Sequence, residues 1–307
     1  MSMELRTITS EDFAAVGELI YDSTNAWYVA SGRPPIFTGP KESTQLFCRV
    51  YDQIDSGNCI LAVSESGELA GSCFYHPRST HVSLGIMNVH PNFFGQGIAR
   101  KLLKHITDLA DEQQLPVRLV SSAVNLDSFS LYNRAGFVPR MVFQDMLIDI
   151  PETGIDDPSV SQAGVREATA VDAANMAKLE LELAGIEREN DLRYFINNDS
   201  GIWHVTVSED AAGQLNGFLV SVYDPGSNMI GPGVAKDEET LIQLLLAEIN
   251  QQRGRQPVCV MPAEATQAVN KMYHWGAKNC ELHFAQVRGA WKEPRGLIVP
   301  SFMPETG

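Results

Sequence analysis

The chain has 307 residues, of which 44% are hydrophobic, and a formal net charge of -15. The length exceeds the usual size of a single domain and predicts two domains, while the negative charge disfavours nucleic acid as a ligand. No stretch reaches the roughly 18–20 apolar residues of a membrane span, and the N-terminus does not have the regions of a signal peptide, so we expect a cytoplasmic protein without a membrane partner. Five cysteines without a C-x-x-C pair indicate reduced thiols, and neither a disulfide framework nor a metal site is expected.

The first half of the chain predicts a mixed sheet flanked by helices. Ser10 is the expected N-cap of a helix, because Glu11 and Asp12 follow it and apolar residues then recur at helical spacing. A second helix is predicted over residues 43–54. The predicted strands cover residues 5–8, 59–64, 69–76, 83–89 and 117–123.

A glycine-rich turn between Val89 and Arg100 reads Pro91-Asn92-Phe93-Phe94-Gly95-Gln96-Gly97-Ile98-Ala99 and opens a helix. Free N–H groups at such a helix end favour a phosphate or pyrophosphate. A P-loop and a dinucleotide fingerprint both fail here, because Arg100 stands where each requires glycine or, in the second case, alanine. The plain alternative is a tight strand-to-helix turn without a ligand.

A second motif lies downstream, where the strand over residues 117–123 is followed by Asn125-Leu126-Asp127-Ser128-Phe129-Ser130-Leu131-Tyr132-Asn133-Arg134-Ala135-Gly136-Phe137. Together the two motifs resemble the GNAT superfamily of acyl-CoA-dependent N-acyltransferases. The family turn, Arg/Gln-x-x-Gly-x-Gly/Ala, aligns with Phe94 to Ala99, and Phe94 departs from it. The family's Asn-x-x-Ser/Ala-x-x-x-Tyr-x-x-x-Gly-Phe helix is similar to the second motif.

The resemblance implies that acetyl-CoA binds as co-substrate between two splayed strands. It implies cofactor contacts from Met87, Asn88, Val89, Phe94, Gly95, Gln96, Gly97, Ile98, Ala99 and Asn125. Tyr132 is the expected general acid that protonates the leaving thiolate, and Asn125 could equally cap its helix. Among His76, His81, His90 and Tyr75 we assign no general base.

The implied reaction is direct transfer of an acetyl group to a primary amine of a small molecule or peptide, within a ternary complex. An acidic surface would suit a cationic amine, and Trp27 and Tyr28 could stack on it, although helix packing is the alternative for this aromatic pair. Two other functions stay open: a non-catalytic acyl-CoA-binding regulatory module, and a transferase of a longer acyl or aminoacyl group. A homodimer also stays open.

The order of predicted elements repeats after residue 165, so we expect an α/β (α+β) chain with two tandem GNAT-like domains. The domains are predicted over residues 1–150 and 165–291, with a linker at 151–164 and a C-terminal tail at 292–307. The second domain is expected to be degenerate, because carboxylates replace the glycines of its turn and Tyr273 stands one residue closer to its glycine. The apolar Leu297-Ile298-Val299 could dock as an added strand.

Overall fold

The structure is a computed structural model that describes residues 3–301, and these residues fall into two compact units. The first unit comprises residues 3–77 and 81–117, and the second comprises residues 78–80 and 118–301. This division depends on spatial contacts, whereas the domains predicted at 1–150 and 165–291 are segments of sequence; those domain boundaries stay a prediction. No helix within residues 3–301 is long and apolar enough to span a membrane.

The first unit is an antiparallel sheet with helices on both faces. Its elements are β1 (Met3–Thr7), α1 (Phe13–Ala30), α2 (Gln45–Ile54), β2 (Cys59–Ser64), β3 (Leu69–Pro77), β4 (Val82–Val89) and α3 (Ile98–Glu112). The strands pair in the order β1-β2-β3-β4, each antiparallel to the next. Short 3-10 turns at Ser10–Asp12, Lys41–Thr44 and Pro91–Phe93 precede α1, α2 and the glycine turn.

The second unit is a larger sheet that takes its strands from the rest of the described chain. Its elements are β5 (Val117–Ser122), α4 (Leu126–Arg134), β6 (Val138–Leu147), β7 (Val165–Glu167), α5 (Ala173–Ala184), α6 (Glu189–Asn197), β8 (Trp203–Glu209), β9 (Leu215–Asp224), β10 (Ser227–Ala235), α7 (Glu238–Gln251), β11 (Val258–Pro262), α8 (Thr266–His274), β12 (Lys278–Arg288) and β13 (Leu297–Val299). The strand order is β5-β12-β6-β11-β10-β9-β8-β7, and β13 pairs with β10.

The two halves of the chain repeat one order of elements, since β7 to β12 follow the plan of β1 to β6. The predicted duplication and the mixed α/β fold class are therefore confirmed. The last strand of each half inserts beside strands of the other half. β6, from the first half, lies between β11 and β12, and β12, from the second half, lies between β5 and β6. Residues from both halves thus share one continuous set of strands in the second unit.

The two halves begin with the same side-chain motif, and the hydrogen bonds within the motif are also the same. In the first half the Arg6 guanidinium forms two hydrogen bonds with the Asp12 carboxylate, which also accepts the Thr9 N–H at 2.8 Å. In the second half Asp172 is held in the same way by its arginine and by the Thr169 N–H at 2.7 Å. The prediction of Ser10 as N-cap is wrong. The N-cap is Thr9, one residue earlier, which forms a capping box with Asp12 at the 3-10 turn that leads into α1.

Candidate functional site

The glycine turn of the first unit leads from β4 into α3 through two residues with left-handed backbone. Gly95 has φ +75° and Gly97 has φ +77°, a region that residues with a Cβ rarely adopt. A Cβ on Gly95 would meet no atom within 4 Å, whereas one on Gly97 would lie 3.3 Å from the Arg100 guanidinium. Both glycines are therefore required by backbone conformation, and the turn stays narrow in front of the helix.

The N-terminus of α3 is left without a side-chain cap. Gly97 occupies the N-cap position and has no side chain to accept from the first N–H groups of the helix, which have no partner within it. Ile98 is buried and fixes the first turn to the sheet, while Phe94, Gly95 and Gln96 are exposed. A short, uncapped helix entrance of this kind can bind an anion through backbone amides alone.

Gly71 on β3 brings α3 close to the sheet. A Cβ at this position would lie 2.9 Å from the Asn88 carbonyl oxygen, 2.9 Å from Ile98 Cγ2 and 3.2 Å from Leu102 Cδ1. Only a hydrogen atom fits there, so the first two turns of α3 rest directly on β3. Sequence analysis missed this residue, although a glycine within an apolar strand is a signal for close backbone approach.

In β4, the predicted cofactor strand, the backbone N–H and C=O groups of successive residues are directed alternately towards β3 and towards the opposite edge of the strand. The His90 N–H donates to the Ala70 carbonyl at 2.9 Å, so alternation along the strand directs the backbone of Asn88 towards β3 and that of Met87 and Val89 towards the opposite edge. The Asn88 side chain is 9% exposed and donates to Ser23 Oγ of α1 at 2.7 Å. Met87 and Val89 are therefore the residues at this end of the strand whose backbone groups are directed away from β3.

The other two predicted site residues lie on α4 in the second unit. The Asn125 side chain accepts from the Ser128 N–H at 3.0 Å and caps the helix, which is one of its two predicted roles. Tyr132 is 6% exposed, and its ring packs 5.7 Å from that of Phe137. The Phe137 N–H donates to the Tyr132 carbonyl, so the Gly136 turn holds the end of the tyrosine helix in place.

The repeat allows the corresponding positions in the second half to be compared directly. β10 reaches α7 through residues 236 and 237 alone, and the Asp237 carboxylate accepts from the Thr240 N–H at 2.9 Å. The adjacent Glu238 carboxylate accepts from the Gln267 and Ala268 N–H groups at the start of α8. N–H groups at the N-termini of α7 and α8 thus donate to carboxylates of this chain. The acidic residues of this turn are the acceptors in both cases.

Tyr132 has no hydroxyl counterpart in α8. The N-caps are Asn125 for α4 and Ala265 for α8, and the seventh residue after each is Tyr132 and Met272. Tyr273 is the eighth; it is 45% exposed and its hydroxyl donates to Gln144 at 2.9 Å. Tyr273 is therefore one residue out of register with Tyr132, as its shorter distance to the glycine predicted, and it lies at the surface.

The histidines considered as bases have structural contacts. His76 is fully buried, with Nδ1 2.7 Å from the Asp55 carboxylate, and His90 Nδ1 accepts from the Asn92 N–H at 3.2 Å. Burial raises the pKa of Tyr75. Sequence analysis did not consider His283 on β12, whose Nδ1 lies 2.8 Å from the Asp145 carboxylate on β6. The exchanged strands bring these distant residues together.

The aromatic pair of α1 and the cysteines lie in mostly buried positions. Trp27 and Tyr28 are half-buried and meet edge to face, with ring centroids 5.0 Å apart. All five cysteines are free and four of them are buried, as predicted. In the part of the chain that the structure describes, no group of three or more His, Cys, Asp or Glu side chains could hold a metal ion.

Comparison with known proteins finds a family profile that covers these features. The sequence profile of the acetyltransferase (GNAT) family matches residues 22–137, the segment that contains the glycine turn, α3 and α4. No curated protein sequence matches the chain. Several solved structures share its fold over nearly its whole length.

Three of these structures illustrate the range of the fold. A candidate acetyltransferase from Pyrococcus horikoshii is 16% identical, with a TM-score of 0.77 over 98% of this chain and 95% of that one. A tandem GNAT protein of the clavulanic acid biosynthesis pathway is also 16% identical, with a TM-score of 0.62 over 95% of this chain and all of that one. Saccharomyces cerevisiae N-myristoyltransferase, with bound myristoyl-CoA, is 10% identical, with a TM-score of 0.59 over 95% and 80% of the two chains. The acetyltransferase (GNAT) family profile thus matches the segment with the glycine turn, α3 and α4, and the fold of the whole chain is similar to that of a tandem GNAT protein.

Proposed function

We propose that the protein is an acyl-CoA-dependent N-acyltransferase that uses acetyl-CoA and transfers the acetyl group to a primary amine of a small molecule or peptide. The observation that carries this proposal is the uncapped N-terminus of α3 behind Gly95 and Gly97. Backbone N–H groups at a helix N-terminus bind a pyrophosphate without help from side chains. This suits a turn in which Phe94 stands where the family has arginine or glutamine.

The neighbouring strand supports the same assignment. Met87 and Val89 direct their N–H and C=O groups away from β3, so an amide-containing arm can pair with them as a short strand would. The thioester carbonyl would then accept from a backbone N–H of this strand, which stabilises the negative charge that develops as the amine attacks. Asn88 does not compete for this position, because its backbone is directed to β3.

In the proposed reaction the neutral amine attacks the thioester carbon, a C–N bond forms and the C–S bond breaks. The thiolate takes a proton, which we assign to the hydroxyl of Tyr132 because of its place in the family's tyrosine helix. The amine loses its extra proton to water or to a base. The products are the N-acetyl amine and the free thiol of CoA.

A transferase of longer acyl groups is the second candidate function. It is favoured by one comparison, since the fold covers 95% of this chain in an N-myristoyltransferase with bound myristoyl-CoA. The choice can be made by comparing acetyl-CoA with longer acyl-CoAs as donors to a panel of amines. Equal turnover with all chain lengths would remove the preference for acetyl-CoA.

The decisive test is calorimetric titration of the protein with acetyl-CoA, together with a Gly97→Asp variant. We expect one site per chain in the parent and no measurable binding in the variant, because a carboxylate would stand in front of the α3 amides. Gly213→Asp is the matched control, since Gly213 has φ +74° and open space around it but lies in the β8–β9 turn. Undiminished binding by the Gly97→Asp protein would refute the assignment of the phosphate to this turn.

A further inference from the structure

The C-terminal strand β13 lies in the opening between two strands of the second unit. β10 and β11 run parallel and pair only at Met229–Val258 and Ile230–Cys259. Beyond Ile230, β10 remains paired with β9 on one side, and on the side where β11 lay it pairs with β13 instead. The chain thus fills a groove between β10 and β11 with its own extended segment.

The residues that β13 contacts correspond to the predicted cofactor strand of the first unit. Gly71 pairs with Val89 in the first unit, and Gly217 pairs with Ala235 in the second. Each of these glycines lies under the helix that follows the paired strand, so the two pairs are equivalent. The β13 partners Gly233, Val234 and Ala235 are therefore the counterparts of Met87, Asn88 and Val89.

The groove is shaped to receive a peptide backbone. A Cβ on Gly231 would lie 2.6 Å from the Pro300 carbonyl oxygen, and a Cβ on Gly296 would lie 2.6 Å from the Ala235 carbonyl oxygen. Ile298 is 6% exposed and Val299 is fully buried in the core of the second unit. Close backbone approach on both strands, with the consecutive side chains Ile298 and Val299 buried on opposite faces of the segment, fits addition of a strand to a sheet.

Charge at the entrance of the groove complements the start of the segment. Arg295 lines an open depression together with Lys236 and the three carboxylates of Asp237, Glu238 and Glu239. The backbone N–H of Arg295 donates to the Leu183 carbonyl at 2.7 Å. A basic residue followed by the apolar Leu297-Ile298-Val299 thus meets a carboxylate-rich entrance and an apolar groove. The same carboxylates would repel a pyrophosphate.

We propose that the β10–β11 groove is a binding site for an extended peptide strand with a basic residue ahead of an apolar run, and that residues 295–301 are its occupant. In this arrangement β13 takes the place of the pantetheine arm, and Asp237 takes the place of the phosphate at the helix end. The comparison with acyl-CoA rests on the proposed function, whereas the peptide site rests on the strand pairing alone. The consequence is that only the first half of the chain offers a groove to acyl-CoA.

The test uses the folded full-length protein with a protease site inserted between Gly289 and Pro294, outside any helix or strand. Cleavage after folding leaves the C-terminal segment attached by non-covalent contacts only. We expect a fluorescent peptide of residues 295–301 to exchange into the cleaved protein, and excess peptide to raise its melting temperature. A peptide carrying Ile298→Asp is the matched control and should bind at least 100-fold more weakly.

Three results would overturn the proposal. The first is release of the segment on cleavage without any change in melting temperature. The second is equal binding of the Ile298→Asp peptide. The third is displacement of the labelled peptide by acetyl-CoA from cleaved protein that also carries Gly97→Asp, because this would show that the groove prefers acyl-CoA. The first two measurements contain no acyl-CoA, so they stand even if the proposed enzymatic function fails.

Discussion

Replacing Gly71 by alanine should weaken acetyl-CoA binding through a shift of α3, without a change in any group that touches the ligand. Carbon atoms in contact lie about 3.5–4.0 Å apart, whereas the new Cβ would lie only 2.9 Å from Ile98 Cγ2 of α3. The helix must therefore move outward by about 0.6 Å or more. Overpacking of this kind destabilises a fold by about 1–3 kcal/mol.

The same shift acts on the proposed phosphate site, because Ile98 is the first residue of α3. Hydrogen bonds from N–H groups to charged oxygens are about 2.7–2.9 Å long, and a displacement of about 0.6 Å would take one of them beyond the usual limit of about 3.2 Å. Loss of one hydrogen bond to a charged group costs about 1.5–3 kcal/mol. We expect the Kd for acetyl-CoA to rise by about 10- to 100-fold.

Gly217→Ala is the matched control, because it adds a Cβ 2.8 Å from Leu244 Cδ1 and Thr240 Cγ2 under the corresponding helix α7. Thermal unfolding should show that both variants are destabilised, while calorimetry should show weaker acetyl-CoA binding in Gly71→Ala alone. Equal loss of affinity in both variants would point to general loosening of the fold. Unchanged affinity in a destabilised Gly71→Ala protein would refute the proposed role of α3.

Three further outcomes test individual side chains. Tyr132→Phe should lower kcat by about 100-fold or more if its hydroxyl is the general acid, with acetyl-CoA affinity retained, whereas Tyr273→Phe should leave kcat unchanged because its position in α8 is one residue out of register. Asp12 and Asp172 each have a pKa of about 2, held below the usual value first by hydrogen bonds from their paired arginines; their stabilisation is present above pH of about 4 and is lost as the pH falls towards 2. Since both arginines are partly exposed, Asp→Asn at either site should cost about 1 kcal/mol at neutral pH and make acid unfolding less steep, as urea titrations at pH 7 and pH 3 would show. A thiol reagent should label Cys280 alone in the native protein, because the other four thiols are buried; mass spectrometry of the labelled chain checks this.

Most of the repeated fold could be predicted from sequence, because its signals are local. The strand predicted over 59–64 and the helix predicted over 43–54 lie close to the observed Cys59–Ser64 and Gln45–Ile54, since apolar period and turn residues indicate both. The shorter turn of the second half and its carboxylates were also visible, and the structure adds that Asp237 caps its own helix. The prediction that a phosphate binds in the first half alone is consistent with this capping and stays a prediction.

Contacts between distant residues could not be predicted in the same way. The exchange of β6 and β12, and with it the pairing of His283 with Asp145, depends on which strands lie side by side rather than on any local pattern. One further repeat is nevertheless visible in the sequence. The Arg-x-x-Thr-x-x-Asp spacing occurs at Arg6 and again at Arg166, at the start of each half. This spacing aligns the first strand and first helix of the two halves residue by residue.

The differences between the halves fall on the positions where a ligand would contribute binding groups. The glycine before α3 is replaced by Asp237 before α7, the hydroxyl of Tyr132 by the thioether of Met272, and the groove beside β10 is occupied by β13. Packing positions such as Gly71 and Gly217 are instead the same in both halves, because each strand must still approach its helix closely. Where no ligand fills a groove, the strand edge and the helix end that line it need other hydrogen-bond partners. Buried N–H and C=O groups without partners are costly in free energy. In the second half these partners are carboxylates of the chain and the C-terminal strand, which is why we propose an acyl-CoA site in the first half alone.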